Sequence, residues 1–231
     1  MMPKLSMRFL PLSIAVVMLF SLARVPSSLA GPPLICHPFE IGNAKSLPWS
    51  GNVWNLSGNQ NYNTKSLAQD TLAILDGNPQ IIVRMETLRR ATLYAQKDPE
   101  AARELLTKLH ARASRAEAAG RQDALAWFDV GYLAATYNQW MKDQNPAAGL
   151  DAYGLIKKAL ALRGTDPQME FAAALVTLRG PQQDHLVHLQ KAMAGSKTDA
   201  LLGQNLATHF MGDEKRAALS LPANNTTAKK K

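Results

Sequence analysis

The chain has 231 residues, 26 Lys and Arg against 18 Asp and Glu for a formal charge of +8, and one cysteine. The lone Cys36 excludes a disulfide within the chain and a zinc site built from several thiolates. The length supports one substantial core or a short array of repeats.

Residues 1–30 read as a secretory leader. Lys4 and Arg8 give a positive start, residues 9–22 form an apolar stretch of fourteen, and Ser28 and Ala30 place small residues before a cleavage site. That stretch falls short of the roughly 20 residues that span a bilayer. Arg24, close behind it, keeps an uncleaved anchor as the rival reading. The expectation is an exported protein, periplasmic or extracellular, that starts near Gly31 and has no stable membrane span thereafter. Loss of Lys4, Arg8 and Arg24 lowers the charge from +8 to +5, and Lys229, Lys230 and Lys231 hold three of those five. The remainder is nearly balanced, so no nucleic-acid partner is expected.

Residues 31–63 differ from all that follows. Pro32, Pro33, Pro38 and Pro48 stop a helix from propagating. Ile35, Phe39, Ile41, Leu47, Trp49, Val53 and Trp54 are too apolar for a linker. The segment is expected to be an extended arm, laid over the helical body where an array end would otherwise expose apolar surface.

From residue 64 the helical period dominates. Thr64 can cap a helix over 64–75 that Asp76-Gly77 closes, and a second is predicted over 79–96. Residues 99–119 are clearly amphipathic, with Ala102, Leu105, Leu106, Leu109 and Ala113 on one stripe and basic residues opposite. Residues 122–141 are the most apolar and aromatic, which marks the central core helix. Further helices are expected at about 146–163, 167–179, 182–194 and 198–211. The helical domain is then 64–214, and 215–231 a disordered basic tail.

An Asx-Pro pair recurs at Asn78-Pro79, Asp98-Pro99, Asn145-Pro146 and Asp166-Pro167. The Asx side chain caps orphan amides and Pro suits the first turn, so each pair predicts a helix start. The spacings from Asn78 to Asn145 and from Asp98 to Asp166 are 67 and 68 residues. Both are near twice the roughly 34-residue period of tetratricopeptide repeats. Trp127-x-x-Val130-Gly131-x-x-Ala134 resembles the first helix of that repeat, with Ala in place of its Tyr. Ala152-Tyr153, Ile156, Ala159 and Leu160 resemble the second. The join over 142–149 is longer than the family's tight turn, and the match is good only over 127–167. The resemblance implies an all-α, short helical-hairpin array (a TPR-like α-solenoid) that binds peptides or proteins and carries no catalytic machinery.

Chemistry-bearing residues are few. Cys36-His37 pairs a thiol with an imidazole, but neighbours in an extended segment face opposite ways, so a packed thiol is favoured over an intermolecular disulfide, a metal site or catalysis. His185 and His188, with Asp184 beside them, share one helix face; without a third ligand they are expected on a solvated flank. Trp49, Trp54 and Tyr62 among several Asn residues suit either a carbohydrate groove or a packed turn. No phosphate loop, HExxH or GxSxG occurs. The reading is a non-enzymatic scaffold with no cofactor and no metal, binding a protein or peptide partner in the cell envelope, with Tyr132, Tyr137, Trp140 and Arg84 as first contact residues. A cell-wall or carbohydrate module using the arm, and a metal- or thiol-dependent enzyme, are the alternatives.

Overall fold

A computed structural model describes residues 32–50, 56–210 and 212–220. The leader, Val53, Trp54 and residues 221–231 of the tail lie outside the described residues. Those described are all-helical and contain no strand. The elements are α1 (Leu67–Asp76), α2 (Ile81–Ala95), α3 (Pro99–Ala118), α4 (Ala124–Trp140), α5 (Ala152–Arg163), α6 (Pro167–Val176), α7 (Gln182–Gly195), α8 (Ala200–His209) and α9 (Gly212–Leu219). None of these helices is long and apolar enough to cross a membrane.

The Asx-Pro pairs divide by residue type. Asp98 and Asp166 cap α3 and α6, accepting from the amides of Ala101 and of Gln168 and Met169. Asp123, Asp151 and Asp199 cap α4, α5 and α8 in the same way. A carboxylate at this position both accepts the orphan amides and meets the positive end of the helix dipole. The two Asn-Pro pairs do not start helices. Asn78 takes the left-handed conformation, φ 52°, just after α1, and α2 starts at Ile81 with no side-chain cap. Asn145 folds onto the Ala147 amide in a turn, and Gly149 at φ 85° turns the chain again before Asp151. The helix expected from 146 therefore begins at Ala152. Thr64 is no cap either: it lies in a 3-10 turn and its hydroxyl donates to Asp98 Oδ2 at 2.6 Å. At the other end α9 runs past the expected boundary at 214 as far as Leu219, with Ala218 buried.

α4 packs against α5, α3 and α2, and α6 packs against α7, α5 and α2. This hairpin packing is compatible with a solenoid-like arrangement, with α2, α4 and α6 largely buried. α2 also reaches α6 directly, where the Ile82 amide donates to Gln168 Oε1 at 3.1 Å. As expected, α4 is the central core helix, with Phe128, Tyr132, Leu133 and Tyr137 fully buried. Gly131 permits its contact with α5. A Cβ there would stand 2.9 Å from Leu155 Cβ and 3.0 Å from the Ala152 carbonyl. Gly131→Val is expected to cost at least about 2 kcal/mol by overpacking. Gly203→Ala, where a Cβ meets nothing closer than the Ser196 carbonyl at 3.8 Å, should instead gain up to about 1 kcal/mol. Urea unfolding of the two variants checks both signs.

Candidate functional site

The arm lies against α2, α4 and α8. Without helix or sheet, its buried amides and carbonyls need side-chain partners. Glu86 Oε2 accepts from the Phe39 amide at 3.0 Å, Arg89 Nε donates to the Ile35 carbonyl at 2.6 Å, and Arg90 Nη1 donates to the Leu47 carbonyl at 2.7 Å. Asn205 accepts from the Glu40 amide and donates to its carbonyl, both at 3.0 Å. Gln139 Oε1 accepts from the Leu34 amide at 3.0 Å. Glu86 in turn holds Arg89 at 3.1 Å and Arg90 at 2.7 Å. Leu34, Ile35 and Leu47 are wholly buried, so the arm is part of the core.

Three of the four expected contact residues are enclosed. Arg84 binds Asp129 at 2.6 Å and donates to the Leu75 carbonyl at 2.8 Å, tying the end of α1 to α4. Burial pushes the Asp129 carboxyl up to about 6 against the pull of Arg84 and Arg112, which leaves it ionised at neutral pH. Tyr137 donates to the Ala102 carbonyl at 3.2 Å, and Tyr132 lies wholly inside. As contact residues Arg84, Tyr132 and Tyr137 are corrected: the all-round apolar α4 draws its tyrosines inward, and Arg84 is taken up by the buried Asp129. Trp140 alone is half-exposed, with its indole N–H on Gln96 Oε1 at 2.8 Å.

The arm's aromatics are engaged as well. Trp49 packs edge-on to Tyr94 with Arg89 and Arg90 over its ring, and Tyr62 packs on Tyr94 and donates to Asp70 at 2.8 Å. Cys36 is half-buried, and burial pushes its thiol up, away from the reactive thiolate, with Arg89 opposing.

His185 and His188 are buried, which corrects the expected solvated flank. His188 sits between Glu170 on its Nδ1 and the Tyr153 hydroxyl, 2.8 Å from its Nε2, and Lys191 meets Glu170 at 3.0 Å. Burial would raise the Glu170 carboxyl, but the His188 and Lys191 hydrogen bonds outweigh it and hold it low. Burial and Asp184 push Tyr153 up to about 12, so its hydroxyl is a weak nucleophile and a reluctant acid. The chain joins α5, α6 and α7. Among the described residues no group of three or more His, Cys, Asp or Glu is placed to hold a metal ion.

An open groove of about 670 Å³ lies where the end of α3, the start of α4 and the end of α5 converge. Arg112, Arg121 and Arg163 line it with Asp123, and Leu125 and Leu162 add an apolar part. Arg112 is held 3.0 Å from Asp76, and Arg163 Nε is 2.5 Å from Asp166. Arg121 is exposed and enters no ion pair with the described residues. Arg112 lies within α3, Arg121 in the link to α4 and Arg163 at the end of α5, and nothing in the helical period marks them as neighbours. No protein-family model, no characterised protein and no solved structure matches the chain.

Glu86→Ala leaves Arg89 buried and uncompensated and should cost about 3–5 kcal/mol while speeding amide exchange at Phe39. Glu104→Ala, which breaks the exposed pair with Lys108, should leave thermal unfolding unchanged. Burial, reinforced by Arg89, holds the His209 imidazole down to about 4. The unfolded imidazole titrates near 6.5, so the unfolded chain binds the extra proton and stability falls as pH drops from about 6.5 to about 4. His209 is stacked on Phe39 at 4.7 Å, so His209→Phe keeps the packing and removes the titration. The variant should lose on the order of 3 kcal/mol less than the parent between pH 7 and pH 4. Parallel urea-derived stability curves would contradict this assignment.

Proposed function

We propose that the protein is an exported, non-enzymatic helical-repeat scaffold that binds a segment of a protein or peptide partner in the cell envelope, and that the groove between α3, α4 and α5 is where it does so. The observation that carries this reading is the contrast between that groove and the rest of the candidates. The groove is open, joins polar and apolar groups, and holds an exposed arginine free of ion pairs. Arg84, Tyr132 and Tyr137 are buried, while Trp49 and Tyr62 pack on Tyr94. That engagement weakens the carbohydrate alternative, and the raised thiol of Cys36 weakens the thiol-dependent one.

The arm is too deeply packed to delete without unfolding the body, so the test blocks the groove. Gln122 is exposed on its rim, and Gln122→Trp fills space without touching the core. Affinity capture from envelope extract should retain a partner with the parent chain and lose at least about nine-tenths of it with Gln122→Trp, at unchanged circular dichroism. Equal capture by both chains would remove the groove from consideration.

A further inference from the structure

The groove's charge names the chemistry of what it takes. Its lining holds three arginines against one carboxylate, that of Asp123. Asp123 is already committed: its Oδ1 accepts from the Ala126 amide at 2.9 Å and caps α4. Arg112 faces two carboxylates, Asp76 at 3.0 Å and Asp129 at 3.9 Å, and Arg163 is held through its Nε by Asp166, while Arg121 enters no ion pair among the described residues. A guanidinium is a planar fork of donors that matches a carboxylate in two parallel hydrogen bonds. Here three forks come from three different elements, so the positive charge is spread along the groove.

We infer that the groove binds an acidic stretch of a partner polypeptide, with Asp or Glu side chains pairing first with Arg121 and then with Arg163 and Arg112. This rests on the reading of the groove as a partner-binding site. Spread charge suits several side-chain carboxylates in succession better than one terminal carboxylate. Leu125 and Leu162 give apolar surface for the methylenes between them. The groove runs between three helices and is open to solvent, so an extended acidic chain can lie along it.

The test uses the full chain and a labelled polyglutamate peptide of about ten residues, amidated at its C-terminus, with polyglutamine of equal length as the neutral control. Fluorescence anisotropy should show binding of polyglutamate only, weakened about tenfold or more by Arg121→Glu and further by adding Arg163→Glu. Raising salt from about 50 to about 200 mM should weaken it severalfold. Both arginines are exposed, and circular dichroism keeps misfolding distinguishable from lost binding. No binding of polyglutamate, or equal binding by parent and variants, overturns the inference. So does sedimentation with phosphatidylglycerol vesicles that Arg121→Glu abolishes while polyglutamate is ignored, which would assign the charge to a membrane surface. If captured partner survives Arg121→Glu but is lost with Gln122→Trp, the partner-binding site stands and its acidic specificity falls.

Discussion

A non-helical segment in a helical core brings backbone groups that no helix can match, and meeting that demand organises this fold. The Glu86 carboxylate stands at the centre of the solution. It accepts an amide from the arm and fixes two arginines, each of which donates to an arm carbonyl. A charge so deeply buried is tolerable only with all its partners in place. That makes α2 polar and buried at once, surrounded by the arm, α1, α3, α4 and α6. The same logic recurs at smaller scale where Arg84 joins Asp129 to the last carbonyls of α1.

The helices were legible because their signals are local. Asp before an apolar run caps α3, α4, α5, α6 and α8, and the stripe from Ala102 to Ala113 faces the core. Misreadings arose where two residues share one local signal. Asn and Asp both precede Pro, but Asn also tolerates the left-handed conformation, and Asn78 adopts it. The arm's burial could be read from its apolar residues. Its anchors could not, because Glu86 followed by Arg89 and Arg90 has the spacing of an ordinary solvated helix face. Only the tertiary neighbours distinguish that trio from Glu104 and Lys108, which are solvated. The same holds for His188, whose partners Glu170 and Tyr153 come from two other helices.

Burial has therefore sorted the polar residues into two sets. Many of those facing inward, such as Glu86, Arg84, Tyr137 and His188, are matched to specific partners. Those at the convergence of α3, α4 and α5 retain an unmatched positive charge next to apolar surface. The proposed scaffold role attaches to the second set.

The arm's contacts with Asn205 and His209 span 165 residues or more of chain. Its docking site is thus completed by one of the last helices to be made. A chain still being synthesised can seat Phe39 on Glu86 and Phe171, but Glu40 lacks Asn205 and Phe39 lacks the His209 ring until α8 is present, and loop closure over that distance is slow compared with local helix formation. A polypeptide cut short before Asn205 would have its beginning without its end, and Phe39 would lack the His209 ring that stacks on it. Completion of the chain thereby acts as the licence for its own closure.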